Sequence, residues 1–356
     1  MEVEEFAIYG VGFLGRSVAD KIRECSNLRV THFIDANARN GQIDSGISVA
    51  APGVESVKGI DVLMAVLNNG FDVTATVTKL MDLGARSVRT PPQVFHLLGD
   101  RGCFWEWYWL STSRNIRAND PLTRKKFESS FFDAQSRDLY KAICDYRLFG
   151  NSELLPTPLP FDDQYLETGI EGFWEGDVRL VDCGAYVGDS IEKLKAAGVS
   201  ITTAWAFEPD PYNYRKLQAM SLSTSTIIHT YPIATSDRRG VTSFDARSAD
   251  GSAFSNAGNL TVPIMPVDDV IPFDNVTHVK FDVEGAEMAT LQGMERLLKR
   301  CKPKLAISAY HRPDDIEDLV DFAVSTYGAA TLSLRTFAHQ TFETVLYVVP
   351  DSRVFP

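Results

Sequence analysis

The stretch that decides the fold is Val181-Asp-Cys-Gly-Ala-Tyr-Val-Gly-Asp-Ser190. Its apolar start is typical of a buried strand, and Gly184 and Gly188 predict a turn that opens a helix. A second stretch, Ala206-Phe-Glu-Pro-Asp-Pro211, predicts another strand, which ends in the acidic residue Glu208. A glycine turn lets a ligand approach the backbone, and an acid after the next strand can accept hydrogen bonds from both ribose hydroxyls. The two stretches therefore predict a site for an adenosine-containing cofactor.

The spacing of these residues indicates which cofactor the site would hold. Asp182, Gly184 and Gly188 form a D-x-G-x-x-x-G pattern, which departs from a dinucleotide fingerprint and favours S-adenosylmethionine. Asp182 or Asp189 would bind the ammonium group of its methionine part. The alternative, a purely structural glycine turn, is disfavoured because two matching segments occur at the right separation. The residues predicted to contact the cofactor are Asp182, Gly184, Ala185, Tyr186, Gly188, Asp189, Ser190, Phe207, Glu208 and Pro209.

Composition limits the class of protein. A length of 356 residues favours two domains, and a net charge of −12 argues against nucleic acid as a partner, because binding to phosphates depends on cationic side chains. The five cysteines have no paired spacing, which is typical of reduced thiols in a cytoplasmic protein. The N-terminus lacks a signal-peptide core, and no apolar run approaches the ~20 residues of a membrane helix. We expect a cytoplasmic protein with no membrane partner, and a homo-oligomer is compatible with the sequence.

Three segments are predicted along the chain. Residues 1–97 alternate strand and helix patterns, as in a small Rossmann-like α/β domain of the nucleotide-binding type. Residues 98–172 form a helical connector that ends in the proline-rich segment Leu154–Pro160, which cannot be helical. Within it, the aromatic cluster Phe104–Trp109 is expected to pack between domains, with a sugar-stacking surface as the alternative. Residues 173–356 form the second α/β domain.

The fold class expected for the second domain is a class I (Rossmann-like) α/β sheet. Alternating strands and helices give the parallel series, and two closing strands without a long helix between them give an antiparallel hairpin. The predicted strands are Leu180–Cys183, Ala204–Phe207, Thr226–Tyr231, His278–Asp282 and Lys304–Ala309, followed by the hairpin Thr331–Phe337 and Thr344–Val349.

Candidate catalytic residues follow two of these strands. Asp282 and Glu284 come at the end of the fourth strand, and His311 comes directly after the fifth. The carboxyl ends of neighbouring parallel strands share a crevice, so we expect the three side chains to meet there. His311 or Asp282 could remove a proton from a hydroxyl. The alternative is that the three residues chelate a divalent ion, although our expectation is no metal. Glu287, in the next helical turn, is explained by the helix dipole.

The N-terminal segment carries a second glycine turn. Gly10, Gly12 and Gly15 form G-x-G-x-x-G after a predicted strand, and Asp35 follows about 20 residues later. This context matches a dinucleotide fingerprint, but the domain is short and lacks an evident catalytic partner. Three alternatives are open for this turn. It could bind NAD, it could bind a nucleotide-sugar, or it could bind no ligand and serve as a scaffold for dimerisation.

The chain resembles the FkbM-type methyltransferases. The matching segments are Phe131–Arg137 with Tyr146-Arg147, Val181–Ser190, Phe207–Pro211, Pro266–Ile271, Lys280–Glu287, Tyr310–Asp315 and Glu343–Tyr347, in the order of the family. The resemblance implies S-adenosylmethionine as donor and O-methylation of a small-molecule hydroxyl, on a sugar, nucleotide-sugar or polyketide. One departure concerns the closing hairpin, where the family often has histidine after an arginine and this chain has Thr336 after Arg335.

Two other functions compete with that interpretation. An NAD-dependent sugar-modifying oxidoreductase or epimerase would use the N-terminal domain, and a non-catalytic protein would keep only the cofactor fold.

Overall fold

The chain folds into two large, mainly parallel β-sheets with helices packed around them. The computed structural model describes residues 3–25, 27–39, 41–112, 116–244, 260–271 and 275–351. The strands are β1 Glu4–Tyr9, β2 Leu28–Ile34, β3 Ile43–Asp44, β4 Ile47–Ala50, β5 Asp61–Met64, β6 Ser87–Arg89, β7 Glu106–Trp107, β8 Leu110–Ser111, β9 Val178–Cys183, β10 Ile201–Phe207, β11 Ile227–Tyr231, β12 Ala234–Thr235, β13 Gly240–Phe244, β14 Leu260–Met265, β15 His278–Phe281, β16 Lys304–Ser308, β17 Ala330–Thr336 and β18 Thr344–Pro350. The helices are α1 Phe13–Glu24, α2 Val54–Val57, α3 Val73–Asp82, α4 Pro91–Gly99, α5 Pro121–Glu128, α6 Ala134–Phe149, α7 Asp189–Ala196, α8 Pro211–Leu222, α9 Glu287–Gln292, α10 Glu295–Cys301 and α11 Asp315–Tyr327.

The larger sheet has seven strands in the order β11-β10-β9-β15-β16-β18-β17. Strands β11, β10, β9, β15 and β16 are parallel, and β18 is antiparallel to both of its neighbours. The chain runs outward from β9 to β11 and then returns to β15 on the other side of β9. Open α/β sheets bind ligands at such a switch point, outside the carboxyl ends of the strands. The predicted fold class, including the closing antiparallel hairpin, is confirmed.

Helices cover both faces of this sheet, so its central strands are apolar throughout rather than alternating. Successive side chains of a strand point to opposite faces. Leu180 therefore packs with Ile191 of α7 and Leu217 of α8, while Val181 packs in a separate core with Leu139 of α6. A sheet that is buried on both sides fixes the positions of its strand ends, where the candidate site lies.

The N-terminal sheet has the order β3-β4-β2-β1-β5-β6 and is parallel except for β3. Its strands alternate with α1, α2 and α3, as the sequence predicts for a Rossmann-like unit. The next helix, α4, begins after a capping box at Thr90 and runs from Pro91 to Gly99. It therefore crosses the predicted domain boundary at residue 97. The domain bounds stay a prediction.

Three features of the fold were missed from the sequence. The aromatic cluster forms a hairpin, β7–β8, and β12, β14 and β13 form a separate small sheet before β15. Strand β3, of two residues, pairs with β4. Strands β3, β7, β8 and β12 have two residues each, which is too few to show a periodic pattern, whereas β13 and β14, with five and six residues, were missed despite their length.

The N-terminal unit and the larger domain share a hydrophobic core. Phe6 and Phe95 of the first unit lie in one cluster with Trp109, Tyr310 and Phe342. The predicted interdomain packing of the aromatic cluster thus holds for Trp109, which is 2% exposed, whereas Phe104 is 78% exposed. No helix among the described residues is long and apolar enough to cross a membrane.

Candidate active site

The glycine turn after β9 packs directly against the end of β15. Gly184 has a φ of 79°, and its N–H donates to the carbonyl oxygen of Phe207 at 3.1 Å. A Cβ atom on Gly184 would lie 1.9 Å from the carbonyl oxygen of Asp282, so only glycine fits. Gly188, with a φ of 90°, is the N-cap of α7. The predicted cofactor turn and the predicted catalytic strand end are therefore in contact.

Glu208 is held beside this turn by two backbone amides. Its Oε2 accepts from the N–H of Tyr186 at 2.9 Å, and its Oε1 accepts from the N–H of Asp210 at 2.7 Å. The side chain is buried, and burial raises its pKa to about 8 despite both hydrogen bonds. Each carboxylate oxygen has a second lone pair, so the group retains acceptor capacity for a diol. This placement suits the predicted ribose contact.

Asp182 is fully buried and is paired inside the protein. Its Oδ1 lies 3.1 Å from Nζ of Lys280, and its Oδ2 accepts from the hydroxyl of Ser190 at 2.6 Å. Lys280 also donates to the carbonyl oxygen of Gly184 at 2.7 Å. The ammonium group of Lys280 thus lies beside Asp182, where the sequence predicted the ammonium group of the cofactor. Asp189, in the first turn of α7, is exposed and is the better placed of the two acids.

Four other predicted cofactor residues have different surroundings. Phe207 is 1% exposed, and its ring stacks on Tyr231 at a centroid distance of 4.9 Å, so its side chain belongs to the core. Tyr186 is 47% exposed, with a φ of 48°, and Pro209 is partly exposed. Ala185 is buried and donates its N–H to the carbonyl oxygen of Phe207 at 2.9 Å. Tyr186 and Pro209 therefore remain available for contact with a ligand.

The three predicted catalytic side chains do meet, and a fourth joins them. His311 Nδ1 lies 2.9 Å from Glu287 Oε1, which also accepts from the N–H of Val283 at 3.1 Å. On the opposite side of the ring, Nε2 lies 3.8 Å from Asp282 Oδ1 and 3.6 Å from Glu284 Oε2. Glu287 is thus a positioning residue for His311, which the helix-dipole explanation missed. We call Asp282, Glu284, Glu287 and His311 the acid–histidine cluster.

The charges in this cluster bear on which of its side chains can accept a proton. Burial lowers the pKa of His311, but the negative charges of Glu287, Glu284 and Asp282 outweigh it and raise the pKa to about 10. Burial raises the pKa of Glu284 to about 7. At neutral pH His311 is therefore an imidazolium ion and is not free to accept a proton. Of the two residues that the sequence offered for proton removal, His311 and Asp282, this charge disfavours His311.

Other residues around the cluster were not identified from the sequence. Tyr165 donates its hydroxyl to Asp282 Oδ2 at 3.3 Å, and Gln164 donates to Glu343 Oε2 at 2.7 Å. Burial, followed by the charge of Asp282, raises the pKa of Glu343 to about 7. Glu343 begins the segment Glu343–Tyr347, which supported the family resemblance. That match was the signal in the sequence that could have identified Glu343 as a residue of the site. Tyr165 lies in the connector, where nothing in the sequence distinguishes it.

Among the described residues, the three donor groups that lie close together include His311 of the chelating set considered from the sequence, but neither Asp282 nor Glu284. Glu287, His311 and Asp315 each offer a ligand atom within 4.8 Å of the others. Two of these atoms, however, already bind each other in the His311–Glu287 pair. We therefore derive no metal chemistry from this trio.

The N-terminal turn has the geometry of a dinucleotide fingerprint. Gly10 has a φ of 103°, and a Cβ there would lie 2.9 Å from the carbonyl that follows β5. A Cβ on Gly15 would lie 2.0 Å from the carbonyl oxygen of Gly10, whereas Gly12 has open space around it. Asp35 follows β2 and accepts from the N–H of Val11 at 3.1 Å. The four predicted residues are thus brought together, on a different sheet from the acid–histidine cluster.

The larger sheet and its site define the class of protein. The switch point beside β9, the glycine turn, the acid after β10 and the acids after β15 are the features of a class I, Rossmann-like methyltransferase. Residues 182–334 match the family model described as the methyltransferase FkbM domain. The chain therefore carries a methyltransferase domain of the FkbM type, and the resemblance found in the sequence is confirmed over these residues.

Similarity to a solved structure extends over nearly the whole chain. The methyltransferase FkbM of Methylobacillus flagellatus KT is 20% identical, with 98% of this chain and 90% of that chain covered and a TM-score of 0.73. At this identity the match shows a shared fold, which includes the N-terminal unit. Precorrin-6y C5,15-methyltransferase of Geobacter metallireducens GS-15 is 14% identical over 49% of this chain and 79% of its own, with a TM-score of 0.27. No curated protein sequence matches the chain.

Proposed function

We propose that this protein transfers a methyl group from S-adenosylmethionine to a hydroxyl of a carbohydrate-type acceptor. The observation that carries the proposal is the contact between Gly184 and Asp282. It places the cofactor turn after β9 against the strand end that bears the acid–histidine cluster. A methyl donor at the turn and a hydroxyl at the cluster would therefore share one edge of the sheet.

The residues around the turn fit this cofactor. The buried carboxylate of Glu208 suits a ribose diol, the exposed carboxylate of Asp189 suits an ammonium group, and Tyr186 and Pro209 offer surface for adenine. Gly184 leaves the backbone open to close approach. When bound, S-adenosylmethionine supplies an electrophilic methyl group on a sulfonium. The chain itself has to hold and align the acceptor oxygen.

The acid–histidine cluster accounts for proton removal. When a hydroxyl of the acceptor takes up a methyl group, a carboxylate of the cluster would accept the proton that this hydroxyl gives up. Glu284 suits this role because burial brings its pKa to about 7, near the working pH. His311, held by Glu287 through Nδ1, turns Nε2 towards Asp282 at 3.8 Å and Glu284 at 3.6 Å, so its positive charge stabilises both carboxylates. Alignment of the reacting atoms supplies most of the acceleration, and the base supplies the remainder.

The surroundings of the cluster support a polyhydroxylated acceptor. Asp282, Glu284 and Glu343 offer several carboxylate oxygens, which accept hydrogen bonds from hydroxyl groups. Tyr108, at the tip of the β7–β8 hairpin, places its ring 6.4 Å from the ring of His311, and it packs edge-on against Phe342 at 5.4 Å. Carboxylates beside aromatic rings provide both the polar and the apolar contacts that a sugar ring needs.

The N-terminal turn favours a second candidate, a nucleotide bound there. Its glycines and Asp35 match the dinucleotide pattern, and Phe13 in the turn stacks on Trp107 of the β7–β8 hairpin at 4.9 Å. The same hairpin carries Tyr108 to the acid–histidine cluster. A nucleotide-sugar acceptor would use both sites, whereas an NAD-dependent oxidoreductase would use the first alone.

Binding and turnover measurements separate these functions. Thermal shift with S-adenosylmethionine, S-adenosylhomocysteine, NAD and UDP-glucose identifies the cofactor, and radiolabelled methyl transfer to a panel of sugars and nucleotide-sugars identifies the acceptor. We expect stabilisation by the first two compounds and label on a hydroxyl. Stabilisation by NAD alone, without methyl transfer, would overturn the proposal in favour of the oxidoreductase.

A further inference from the structure

Two cysteines that lie far apart in the sequence meet at the edge of the N-terminal unit. Cys25 directly follows α1, and Cys103 lies in the short segment between α4 and β7. The two residues are separated by 78 positions, yet their Sγ atoms lie 3.6 Å apart. Sequence spacing could not indicate this pair, because contact between thiols so distant along the chain depends on the tertiary structure.

The two side chains have room to approach each other. A disulfide bond is about 2.0 Å long, so the sulfur atoms would have to move ~1.6 Å closer. Cys25 has an extended backbone after the last turn of α1, and an added Cβ on Gly102, which precedes Cys103, would meet no atom within 4 Å. Neither cysteine lies inside a helix or a strand. Side-chain rotation and a small shift of the segment 100–105 therefore suffice to bring the sulfur atoms into bonding distance.

A dissolved oxidant can reach this thiol pair. Cys25 and Cys103 are both partly buried, and they pack at the edge of the hydrophobic core that the N-terminal unit shares with the larger domain. Cys144 and Cys183, by contrast, are buried in the larger domain. Accessible thiols are open to exchange, whereas buried thiols are inert. The Cys25–Cys103 pair thus combines contact between the sulfur atoms with access from solvent.

The surroundings of the pair affect the rate of oxidation. Burial, followed by the hydrogen bond with Cys103, raises the pKa of the Cys25 thiol above its ordinary value. Arg101, which is paired with Glu4 at 2.7 Å, offsets only part of this increase. The thiolate is the reactive form and is a minor species at neutral pH, so the pair should be oxidised faster as the pH rises.

We propose that Cys25 and Cys103 form a reversible intramolecular disulfide, with glutathione disulfide, a low-molecular-weight disulfide, as the oxidant. The thiolate of one cysteine attacks a sulfur of glutathione disulfide, and a glutathione thiolate leaves. The thiolate of the second cysteine then attacks the cysteine sulfur of this mixed disulfide, and the second glutathione thiolate leaves. The two protons of the cysteine thiols end on the two glutathione molecules. One glutathione disulfide is thus reduced for each protein disulfide formed.

The bond would restrain the segment that leads into the β7–β8 hairpin. At the start of α1, Phe13 stacks on Trp107 at 4.9 Å, and at the end of α1 Cys25 meets Cys103. The segment 103–107 therefore contacts α1 near both of its ends. It continues into Tyr108, which contacts the acid–histidine cluster. A bond at Cys103 would hold the hairpin that carries this tyrosine against the N-terminal unit.

Mass spectrometry on the full-length protein tests the bond. After incubation with glutathione disulfide, we expect the intact mass to fall by two hydrogen atoms, and a non-reduced digest should contain the peptides of Cys25 and Cys103 joined together. Between about pH 7 and pH 8, the rate of oxidation should rise by up to about tenfold, as the thiolate fraction does. A digest that shows only free thiols, only glutathione adducts or only bonds between two chains would overturn the proposal.

The oxidised and reduced wild-type proteins show what the bond does, without any substitution. Because the bond closes a long loop and restricts the unfolded chain, we expect the Tm of the oxidised protein to be higher by roughly 5 °C or more. In hydrogen-exchange mass spectrometry, the amides of residues 103–111 should exchange more slowly after oxidation. Equal Tm values and equal exchange would overturn the restraint that we assign to the bond.

Single substitutions identify the cysteines involved. Cys25→Ser and Cys103→Ser each remove one sulfur atom, so the Tm of neither variant should rise on oxidation. Cys301→Ser, at a partly buried cysteine of the larger domain, is the matched control and should keep both the bond and the rise in Tm. A rise in Tm that persists in Cys25→Ser would contradict the pairing. None of these measurements uses methyl transfer, so a failure of the proposed function would leave their outcome unchanged.

Discussion

His311 Nδ1 lies 2.9 Å from Oε1 of Glu287, and both side chains are almost completely buried. This pair fixes the imidazole ring so that Nε2 faces Asp282 and Glu284. In catalytic histidines of known enzymes, too, one ring nitrogen is held by a carboxylate and the other faces the reacting group. Here the surrounding negative charge also keeps the ring protonated.

Replacing His311 should separate turnover from cofactor binding. His311→Ala removes the cation from the cluster, so we expect kcat to fall by ~10²-fold or more, while the calorimetric affinity for S-adenosylmethionine changes little. His229→Ala is the control, since that histidine is exposed at the sheet edge. Full activity of His311→Ala, or an equal loss in affinity and turnover, would contradict the role given to His311.

The pH dependence of turnover should report Glu284 and His311 together. A general base acts when it is deprotonated, and burial raises the pKa of Glu284 to about 7, so kcat should rise as the pH increases through about 7. It should then fall as the pH passes about 10, where His311 loses its proton. In Glu284→Gln, the remaining kcat should not rise as the pH increases through about 7. If the kcat of the variant still rises at that pH, the general base is another residue.

Sequence patterns predicted the strand ends well and the charges poorly. Placement of Asp282, Glu284 and His311 at one edge follows from the topology of a parallel sheet, which a strand-and-helix pattern determines. The pairing of His311 with Glu287 depends on a turn at Gly285, and the partnership of Asp182 with Lys280 depends on side chains of adjacent strands. Such contacts between side chains are set by the tertiary structure and are not visible in the sequence pattern. The protonation of His311, which follows from them, could not be predicted either.

The small sheet and the β7–β8 hairpin were missed for a related reason. Strands β7, β8 and β12 have two residues each, so they carry no periodic pattern, and they are recognised only by their pairing with neighbouring segments. The hairpin nevertheless carries Tyr108 to the acid–histidine cluster. A residue that contacts the acid–histidine cluster thus comes from a segment whose structure the sequence pattern did not predict.

Glu208 should control cofactor affinity and its pH dependence. Glu208→Gln keeps the shape but has one acceptor oxygen, so the affinity for S-adenosylmethionine should fall ~10-fold or more, as expected for a hydrogen bond to a charged group. Burial raises the pKa of Glu208 to about 8, and only the ionised form accepts from both ribose hydroxyls. Wild-type affinity should therefore increase as the pH rises through about 8, and the increase should be smaller in the variant.

Calorimetry over this pH range provides the measurement for Glu208. Glu192→Gln, on the exposed side of the first turn of α7, is the matched control and should retain the wild-type profile. Identical affinities and profiles for the wild type and Glu208→Gln would remove the ribose role from Glu208.

The contact between the cofactor turn and β15 can be tested by adding one methyl group. Gly184→Ala and Gly198→Ala both place alanine at a φ of 79° or 89°, which alone costs roughly 1–2 kcal/mol. At Gly198 nothing lies within 4 Å of the new Cβ, whereas at Gly184 it would lie 1.9 Å from the carbonyl oxygen of Asp282. Gly184→Ala should therefore lower Tm more than Gly198→Ala, and it alone should weaken both S-adenosylmethionine binding and turnover. Equal Tm values with intact turnover would show that the turn and the catalytic strand end are not closely packed, and the shared-edge argument for methyl transfer would lose its support.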